Sequence, residues 1–367
     1  MRESISRFWN RIQQNLFPQL EEDLGPLSAN QLKVAEVLEA IRFEEVIPGY
    51  VKGPGRPPKS RIAIARAFIA KAIYNFSTTR MLIDRLECDV ALRRICGFEK
   101  RSDIPSESVF SRAFAELAES GLLGKIHAQL ITEHFDDRLV GHANRDSTAI
   151  EARETPTKKV KPPHDKPKRK RGRPRAGEEP IEQKAPTRLE KQSTMTLQQM
   201  LDDLPKACDV GSKKNSQGYI ETWIGYKLHW DVGDGEVPLS VVLTSASTHD
   251  SQVALPLMAM TQERVDYLYE VMDSAYDSKV IRIKSLSAGH VPLIDSNPRR
   301  GEKIPFAPHE AERYKERTAV ERANARLKDE LGGRFVRVRG HAKVLAHLMF
   351  GVLALTVDQL MRVAIRV

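Results

Sequence analysis

The stretch Trp223–Thr244 has the sequence WIGYKLHWDVGDGEVPLSVVLT and decides the fold class. The first half holds Trp223, Tyr226 and Trp230, and the second half is dense in valine and leucine; both compositions suit a half-buried pleated strand. Between the halves, Gly233-Asp234-Gly235-Glu236 has the glycines of a tight turn. The stretch therefore predicts a β-hairpin, with one strand over Trp223–Val232 and the next over Val237–Thr244.

Strands and helices alternate downstream of this hairpin. The run Val265–Met272 is apolar enough for a buried strand, and Asp273 follows it directly. This alternation predicts an α/β domain with a mixed sheet flanked by helices. The further elements predicted are helices over Ser251–Thr261, Ser274–Lys284 and Ala311–Leu331, a strand over His290–Ile294, and a helix C-cap and turn at Gly332-Gly333.

The first third of the chain has helical patterns only. Apolar residues recur at three- and four-residue intervals over Leu32–Ile41 and Ile62–Ile73. Thr78 (or Thr79), Asp89 and Ser106 are of the types that cap helices, and each precedes a further apolar stripe. Arginines on these short helices suit a DNA reader of the helix-turn-helix kind, but a plain bundle with a solvated basic face fits equally well.

These patterns divide the chain into three parts. Residues 1–138 are predicted as an all-helical domain for DNA binding and oligomer contacts, and residues 139–335 as the α/β domain. Residues 336–367 hold a C-terminal helix that packs on it. The most apolar stretch, Val344–Ile365, is predicted as a buried helix rather than a membrane span, because a span rarely tolerates its polar residues. Those residues are His347, Asp358, Gln359 and Arg362.

The composition of the chain favours some kinds of binding partner over others. The 367 residues are enough for two domains, and the formal charge of +9 with a pI near 9.4 favours a polyanion such as nucleic acid. A basic protein that merely stays soluble is the alternative. The three cysteines are too few and too scattered for a disulfide framework or a zinc site, which predicts reduced thiols and a cytoplasmic location.

The most biased segment is Pro156–Arg175, half of which is lysine or arginine and which contains five prolines. Such a segment cannot bury a core, so we predict a disordered insertion over about 155–195. Its Gly172-Arg173-Pro174 core resembles an AT-hook, whose arginines enter a narrow minor groove. A solvated linker is the alternative to DNA contact. The predicted DNA contacts are Lys168, Arg169, Lys170, Arg171, Arg173 and Arg175.

Three acidic residues occur in positions that suit metal-assisted chemistry on phosphodiesters. Asp146 lies in an extended segment, Asp273 ends a buried strand, and Glu321 lies in the long predicted helix. Carboxylates are the ligands that magnesium prefers, and two such ions can activate one oxygen while stabilising another. Any single acidic residue is more often a plain surface carboxylate. Asp277 is a rival to Asp273, but Asp273 lies at the strand end.

The long predicted helix carries a regularly spaced set of polar side chains. Tyr314, Arg317, Glu321 and Lys328 follow one another at intervals of three, four and seven residues, which puts all four on one face of an α-helix. An exposed face of this kind is commonly a solvated stripe. It also suits a helix that presents Glu321 to a metal while its cations hold DNA phosphates.

The pattern Tyr-(2)-Arg-(3)-Glu-(6)-Lys resembles the signature of a group of DDE transposases from bacterial insertion sequences. Asp146-Ser147-Thr148 and Asp273-Ser274-Ala275-Tyr276-Asp277 are similar to that family's first and second acidic motifs. Gly225–His229 and Thr248–Ser251 are similar to stretches that recur between them. The resemblance covers roughly residues 55–365.

The resemblance implies an RNase H-like catalytic domain with Asp146, Asp273 and Glu321 as catalytic and metal-binding triad. It implies Mg²⁺ as the native ion, with Mn²⁺ as a substitute, and Tyr314, Arg317 and Lys328 as contacts to element-end DNA. The implied reaction is hydrolysis at terminal inverted repeats of double-stranded DNA, followed by joining of the 3′-hydroxyl to target DNA. The implied assembly on DNA is at least a dimer.

Two rivals remain at the level of sequence. One is a transposase-derived DNA-binding protein with an idle metal site, which the intact acidic set argues against. The other is an RNase H-like nuclease that cuts without joining, which the Tyr-Arg-Glu-Lys helix argues against.

Overall fold

The computed structural model describes residues 25–48, 58–136, 138–157, 186–214, 217–298 and 302–366. Two predicted features therefore lie outside the described residues: the helical character of residues 1–24, and the basic run 168–175 with its predicted DNA contacts.

Before the sheet, the described chain is helical, as predicted. Thr78 caps one helix by accepting a bond from the Met81 amide at 3.2 Å, and Asp89 caps the next through the Leu92 amide at 2.9 Å. Ser106 stands at the predicted N-cap, but its hydroxyl lies against that of Ser108 instead of capping. The helices are α1 (Ala29–Ile41), α2 (Phe43–Val46), α3 (Arg61–Ile73), α4 (Thr79–Cys88), α5 (Val90–Ile95), α6 (Glu107–Glu119) and α7 (Leu122–Phe135).

In the described part of the chain the sheet is mixed and has six strands, which confirms the predicted mixed sheet flanked by helices and is consistent with the RNase H-like class. Its strands are β1 (Leu139–Glu151), β2 (Asp209–Lys214), β3 (Ile220–Val232), β4 (Pro238–Ser245), β5 (Asp266–Met272) and β6 (Val291–Ile294). The central strand β1 runs antiparallel to β3 and parallel to β5, and β5 is parallel to β6. The predicted hairpin is the pair β3–β4, and β2 pairs with the first half of β3.

Seven further helices surround the sheet: α8 (Arg188–Gln192), α9 (Leu197–Asp203), α10 (Ala254–Gln262), α11 (Lys279–Ser287), α12 (Pro308–Tyr314), α13 (Thr318–Asp329) and α14 (His341–Arg366). The single long helix predicted over Ala311–Leu331 is wrong, because a 3₁₀ turn at Lys315–Arg317 separates α12 from α13. The Thr318 hydroxyl bonds to the Lys315 carbonyl at 3.0 Å across this turn. Tyr314 and Arg317 thus precede α13.

The predicted disordered insertion does not extend to residue 195, because α8 lies inside that range. Thr187 and Glu190 form a capping box at the start of α8. At the end of α8, Gln192 is buried and its amide donates to the Gln252 carbonyl at 2.9 Å. These tertiary contacts fix a helix too short for an apolar stripe to predict.

The C-terminal helix α14 is buried, as predicted. It packs on α1, α3 and α6 on one side and on β4 and α13 on the other, and Phe350 meets Phe68 and Phe114 with ring centroids 5.4 Å and 6.2 Å apart. Within the described chain, the segment His341–Val363 alone is long and apolar enough to cross a membrane, but 83% of its most apolar window is buried inside the protein. One apolar core therefore joins the N-terminal helices to the sheet.

Candidate active site

Two carboxylates emerge side by side from the sheet. In the parallel pair β1–β5, Arg145 is the register partner of Met272, so Asp146 and Asp273 follow on neighbouring strands. Asp273 also ends β5 and turns the chain, since its carboxylate accepts a bond from the Ala275 amide at 2.9 Å. Strand pairing thus brings together two residues that lie far apart in the sequence.

Helix α13 crosses the sheet beside this pair. The Asn324 amide donates to Asp146 Oδ2 at 3.1 Å, and its oxygen accepts from the Trp230 indole at 3.0 Å. The apolar face of α13, with Val320, Ala323 and Leu327, is buried. Glu321 lies one turn before Asn324, on the same side of the helix. Asn324 therefore fixes the position of α13 relative to Asp146.

Arg317 stands among the three predicted carboxylates. Its guanidinium donates to Glu321 Oε1 at 2.7 Å and lies 4.0 Å from Asp273 Oδ2. Burial would lower the pKa of Arg317, but Asp146, Tyr314, Glu321 and Asp273 together raise it above its ordinary value. Arg317 is thus the cation on which the predicted triad converges.

Both aspartates have a pKa above the ordinary value of an aspartate. Burial raises the pKa of Asp146 to about 6; the Ser147 amide and Arg317 oppose this rise, while Asp273 and Asp250 add to it. Burial likewise raises the pKa of Asp273 above its ordinary value. Across the described residues, no three histidine, cysteine, aspartate or glutamate side chains lie close enough together to hold a metal ion. The two aspartates therefore lie together at the sheet, whereas Glu321 is bonded to Arg317.

A fourth carboxylate, Asp250, lies beside the pair, and no pattern in the sequence predicted a role for it. Asp250 Oδ1 accepts bonds from the Ser147 hydroxyl at 2.8 Å and the Lys227 ammonium at 3.0 Å, and lies 3.6 Å from the His229 ring. Burial would raise the pKa of Asp250, but His229, Lys227 and the Ser147 bond lower it. Since burial lowers the pKa of His229 itself to about 4, the His229 ring is uncharged at neutral pH, and the ion pair of Asp250 is the one with Lys227.

A buried ion cluster lies directly behind the pair. Arg145 is fully buried; it forms a two-pronged bond to Asp231 at 2.8 Å and 2.7 Å and reaches Glu270 at 3.2 Å. The Tyr267 hydroxyl completes the cluster by donating to Glu270 at 2.9 Å. The cluster joins β1 to β3 and β5, and it explains why the polar stretch before Asp146 forms the central strand.

The other predicted site residues lie around this centre. Tyr314 packs on Phe306 with ring centroids 4.7 Å apart, and burial raises its pKa to about 12. Lys328 lies at the far end of α13, where burial and the nearby Lys213 and Arg334 lower its pKa. The rival ligand Asp277 is bonded to Arg282 at 2.9 Å and 3.1 Å.

Two family models match the chain. The transposase domain DUF772 matches residues 21–116, and the transposase DDE domain matches residues 204–357. The chain resembles the DDE transposases of insertion sequences. The two matches indicate a DNA transposase function, and DDE transposases generally use divalent metal ions. The DDE match includes Asp273 and Glu321 but begins after Asp146. No curated protein and no solved structure matches the chain.

Proposed function

We propose that the protein cleaves phosphodiester bonds at the ends of an insertion sequence and joins the freed 3′-hydroxyl to target DNA. The observation that carries the proposal is the convergence of Asp146, Asp273 and Glu321 on Arg317 in a chain that resembles DDE transposases. In this proposal the three carboxylates are the catalytic and metal-binding residues.

The donor set fits a hard divalent cation. All three residues offer carboxylate oxygens, and burial, with a smaller contribution from neighbouring carboxylates, raises the pKa of both aspartates. Mg²⁺ would be the native ion and Mn²⁺ a substitute; such ions activate the attacking oxygen and stabilise the leaving one. Because Glu321 is bonded to Arg317, that pair must open before Glu321 can join the aspartates.

The surrounding residues hold the carboxylates in place. Asn324 bonds to Asp146, and the Arg145 cluster fixes the strands from which both aspartates emerge. Ser147, the residue after Asp146, ties this strand to Asp250. A site fixed on rigid strands keeps its carboxylates close together without rearrangement of the backbone.

DNA contact is proposed for several groups around the site. Tyr314, Arg317 and Lys328 would contact the element's ends, and the helices before β1 would read the terminal inverted repeats. The lysines and arginines of the predicted insertion (Lys168, Arg169, Lys170, Arg171, Arg173 and Arg175) would add sequence-independent contacts to double-stranded DNA. Two ends require two sites, so the assembled complex would be at least a dimer, formed on cytoplasmic DNA.

The test uses a labelled duplex with the element's own terminal repeat, with Mg²⁺ and an unlabelled target plasmid. Glu321→Gln keeps the side-chain shape but removes a ligand charge, so it should bind the duplex without cutting it. The matched control is Glu330→Gln, an exposed glutamate that directly follows the same helix and pairs with Arg326, and this variant should cut normally. Label transferred to the plasmid demonstrates joining.

The rivals give different products in this assay. Cleaved ends without transferred label indicate a nuclease that does not join. Binding without cleavage by the wild type favours the idle DNA-binding protein, for which the Arg317–Glu321 bond is the supporting observation. Equal cutting by wild type and Glu321→Gln removes Glu321 from the triad.

A further inference from the structure

A cavity of about 270 Å³ lies away from the carboxylates, between helices α3, α4 and α6 and the segment that joins α13 to α14. Its walls combine phenylalanines with a few polar and cationic side chains. Phe76 and the exposed Phe335 are among the aromatic walls, and Leu331 and Gly332 come from the end of the α13 region. The cavity thus lies where the N-terminal helices meet the catalytic part.

Lys71 lines this cavity and is only 9% exposed. Among the described residues, none pairs with its ammonium group through a hydrogen bond or an ion pair. Burial, together with the charge of Arg337, lowers the pKa of Lys71 to about 8, so the group is still largely protonated at neutral pH. A buried cation without a counterion is unfavourable for folding, and such groups concentrate at binding sites.

The groups around Lys71 are also electropositive. Arg337 lines the cavity and likewise has no partner among the described residues. The ten-residue helix α4 begins at the cavity, where Thr78 caps only the Met81 amide and leaves other first-turn amides free.

The remaining titratable groups at the cavity do not neutralise it. His347 donates to the Gly332 carbonyl at 2.9 Å, and burial lowers its pKa to about 4, so it is uncharged at neutral pH. Glu107 is the acidic side chain on the wall, and Arg80 lies 3.3 Å from its carboxylate. The cavity therefore keeps a net positive charge.

We propose that this cavity binds a phosphate group, held by Lys71, Arg337 and the first turn of α4. Phenylalanine walls beside the cations suit a nucleotide, since aromatic rings take a base while cations take its phosphate. The phosphate can belong to a DNA strand or to a free nucleotide. The first case rests on the proposed function, because it requires DNA as the substrate.

The position relative to the carboxylates suits a DNA strand. From Glu321 to Asp329, its last residue, α13 extends for about 12 Å, and Leu331 at the cavity lies in the turn that follows. A duplex rises about 3.4 Å per base pair, so this distance corresponds to roughly four base pairs from the reacting bond. Lys328 lies between the two positions.

The test compares the wild type with Lys71→Met and Arg337→Gln, all without divalent cations so that cleavage plays no part. Lys71→Met keeps the aliphatic length and removes an unpaired buried charge, so it should fold with an equal or higher melting temperature. The control Lys125→Met changes an exposed lysine on α7, away from the cavity. Inorganic phosphate and dAMP are the small probes, and a labelled duplex of mixed sequence is the large one.

Two results support the site and distinguish its sources. For a free nucleotide, phosphate or dAMP raises the melting temperature of the wild type and Lys125→Met, but not that of the two cavity variants. For a DNA strand, the slope of log affinity against log salt becomes shallower by about 0.9 in each cavity variant and stays unchanged in the control. Equal responses of all four proteins to every probe overturn the proposal. Because these experiments measure binding and melting temperature but not cleavage, their outcome does not depend on the cleavage assay that tests the proposed function.

Discussion

Arg145 and Asp146 are neighbours on the central strand, yet the charge of Arg145 is paired with opposite charges, whereas that of Asp146 is not. Arg145 is fully buried and is bonded to Asp231 and Glu270. Asp146 has a neutral amide from Asn324 as its side-chain bond, and burial raises its pKa to about 6. A paired buried charge holds a fold together, whereas an unpaired one is available for a ligand.

The largest expected effect comes from substitution of Asp146, the residue whose charge is unpaired. Asp146→Asn should reduce the rate of cleavage by about 10³-fold or more, since several kilocalories per mole of transition-state stabilisation depend on a metal ligand. Single-turnover cleavage of a labelled end duplex measures it. Asp277→Asn is the control, because Asp277 is bonded to Arg282. Equal losses in both variants would remove the distinction between Asp146 and an ordinary nearby carboxylate.

On the paired side, Arg145→Met should lower the free energy of unfolding by about 3 kcal/mol, because it leaves Asp231 and Glu270 buried without a cation. Urea denaturation measures the change. The control Arg334→Met removes an exposed arginine paired with Asp329 and should change stability by less than about 1 kcal/mol. Similar effects of the two substitutions would show that the buried cluster is not structural.

The raised pKa of Asp146 gives a smaller effect that depends on pH. An aspartate whose pKa is raised by folding is favoured in its protonated form, so its contribution destabilises the fold as pH rises from about 4 to 6. Without divalent cations, wild-type stability should therefore fall over this range by about 1–3 kcal/mol relative to Asp146→Asn. Mg²⁺ should reduce that difference. Parallel pH profiles for the two proteins, from urea titrations with and without EDTA, would contradict the assignment.

The smallest effect concerns Asn324, which holds the unpaired aspartate. Asn324→Ala removes bonds to Asp146 and Trp230, so we expect a loss of about 1 kcal/mol in stability and about tenfold in cleavage. Gln129→Ala, which removes an exposed bond to Glu133, is the control and should leave both unchanged. A stability loss with normal cleavage would make Asn324 a packing residue only.

The sequence predicted those parts of the fold that local patterns determine. The β3–β4 hairpin and the strand that ends at Asp273 follow from runs of apolar residues between glycines and polar residues. The 3₁₀ turn before α13 was missed, because the helical pattern of the sequence continues on both sides of it. The short helices α8 and α9 depend on tertiary contacts and left no stripe to detect.

The candidate site likewise has features that the sequence predicted and features that it did not. Residue types and spacing pointed to Asp146, Asp273 and Glu321, but not to the Arg317–Glu321 bond or to Asp250 between Ser147 and Lys227. The contacts of Asp250 arise from strand register and from the path of the chain after β4, and their partners lie tens of residues apart, so no local pattern contains them. The Arg317–Glu321 bond has a spacing of four residues that the sequence shows, but this spacing does not tell a bond to Arg317 from a place beside a metal ion.

The contacts of helix α14 restrict how the helices before the sheet can be exchanged. Because it contacts α1, α3 and α6 as well as β4 and α13, the helices before the sheet share an interior with the sheet itself. A graft of foreign N-terminal helices onto this sheet would have to rebuild the facing surface of α14 at the same time. In the proposed function, where these helices read the element's ends, new end specificity is therefore more accessible through substitutions on their outer faces than through exchange of the whole segment.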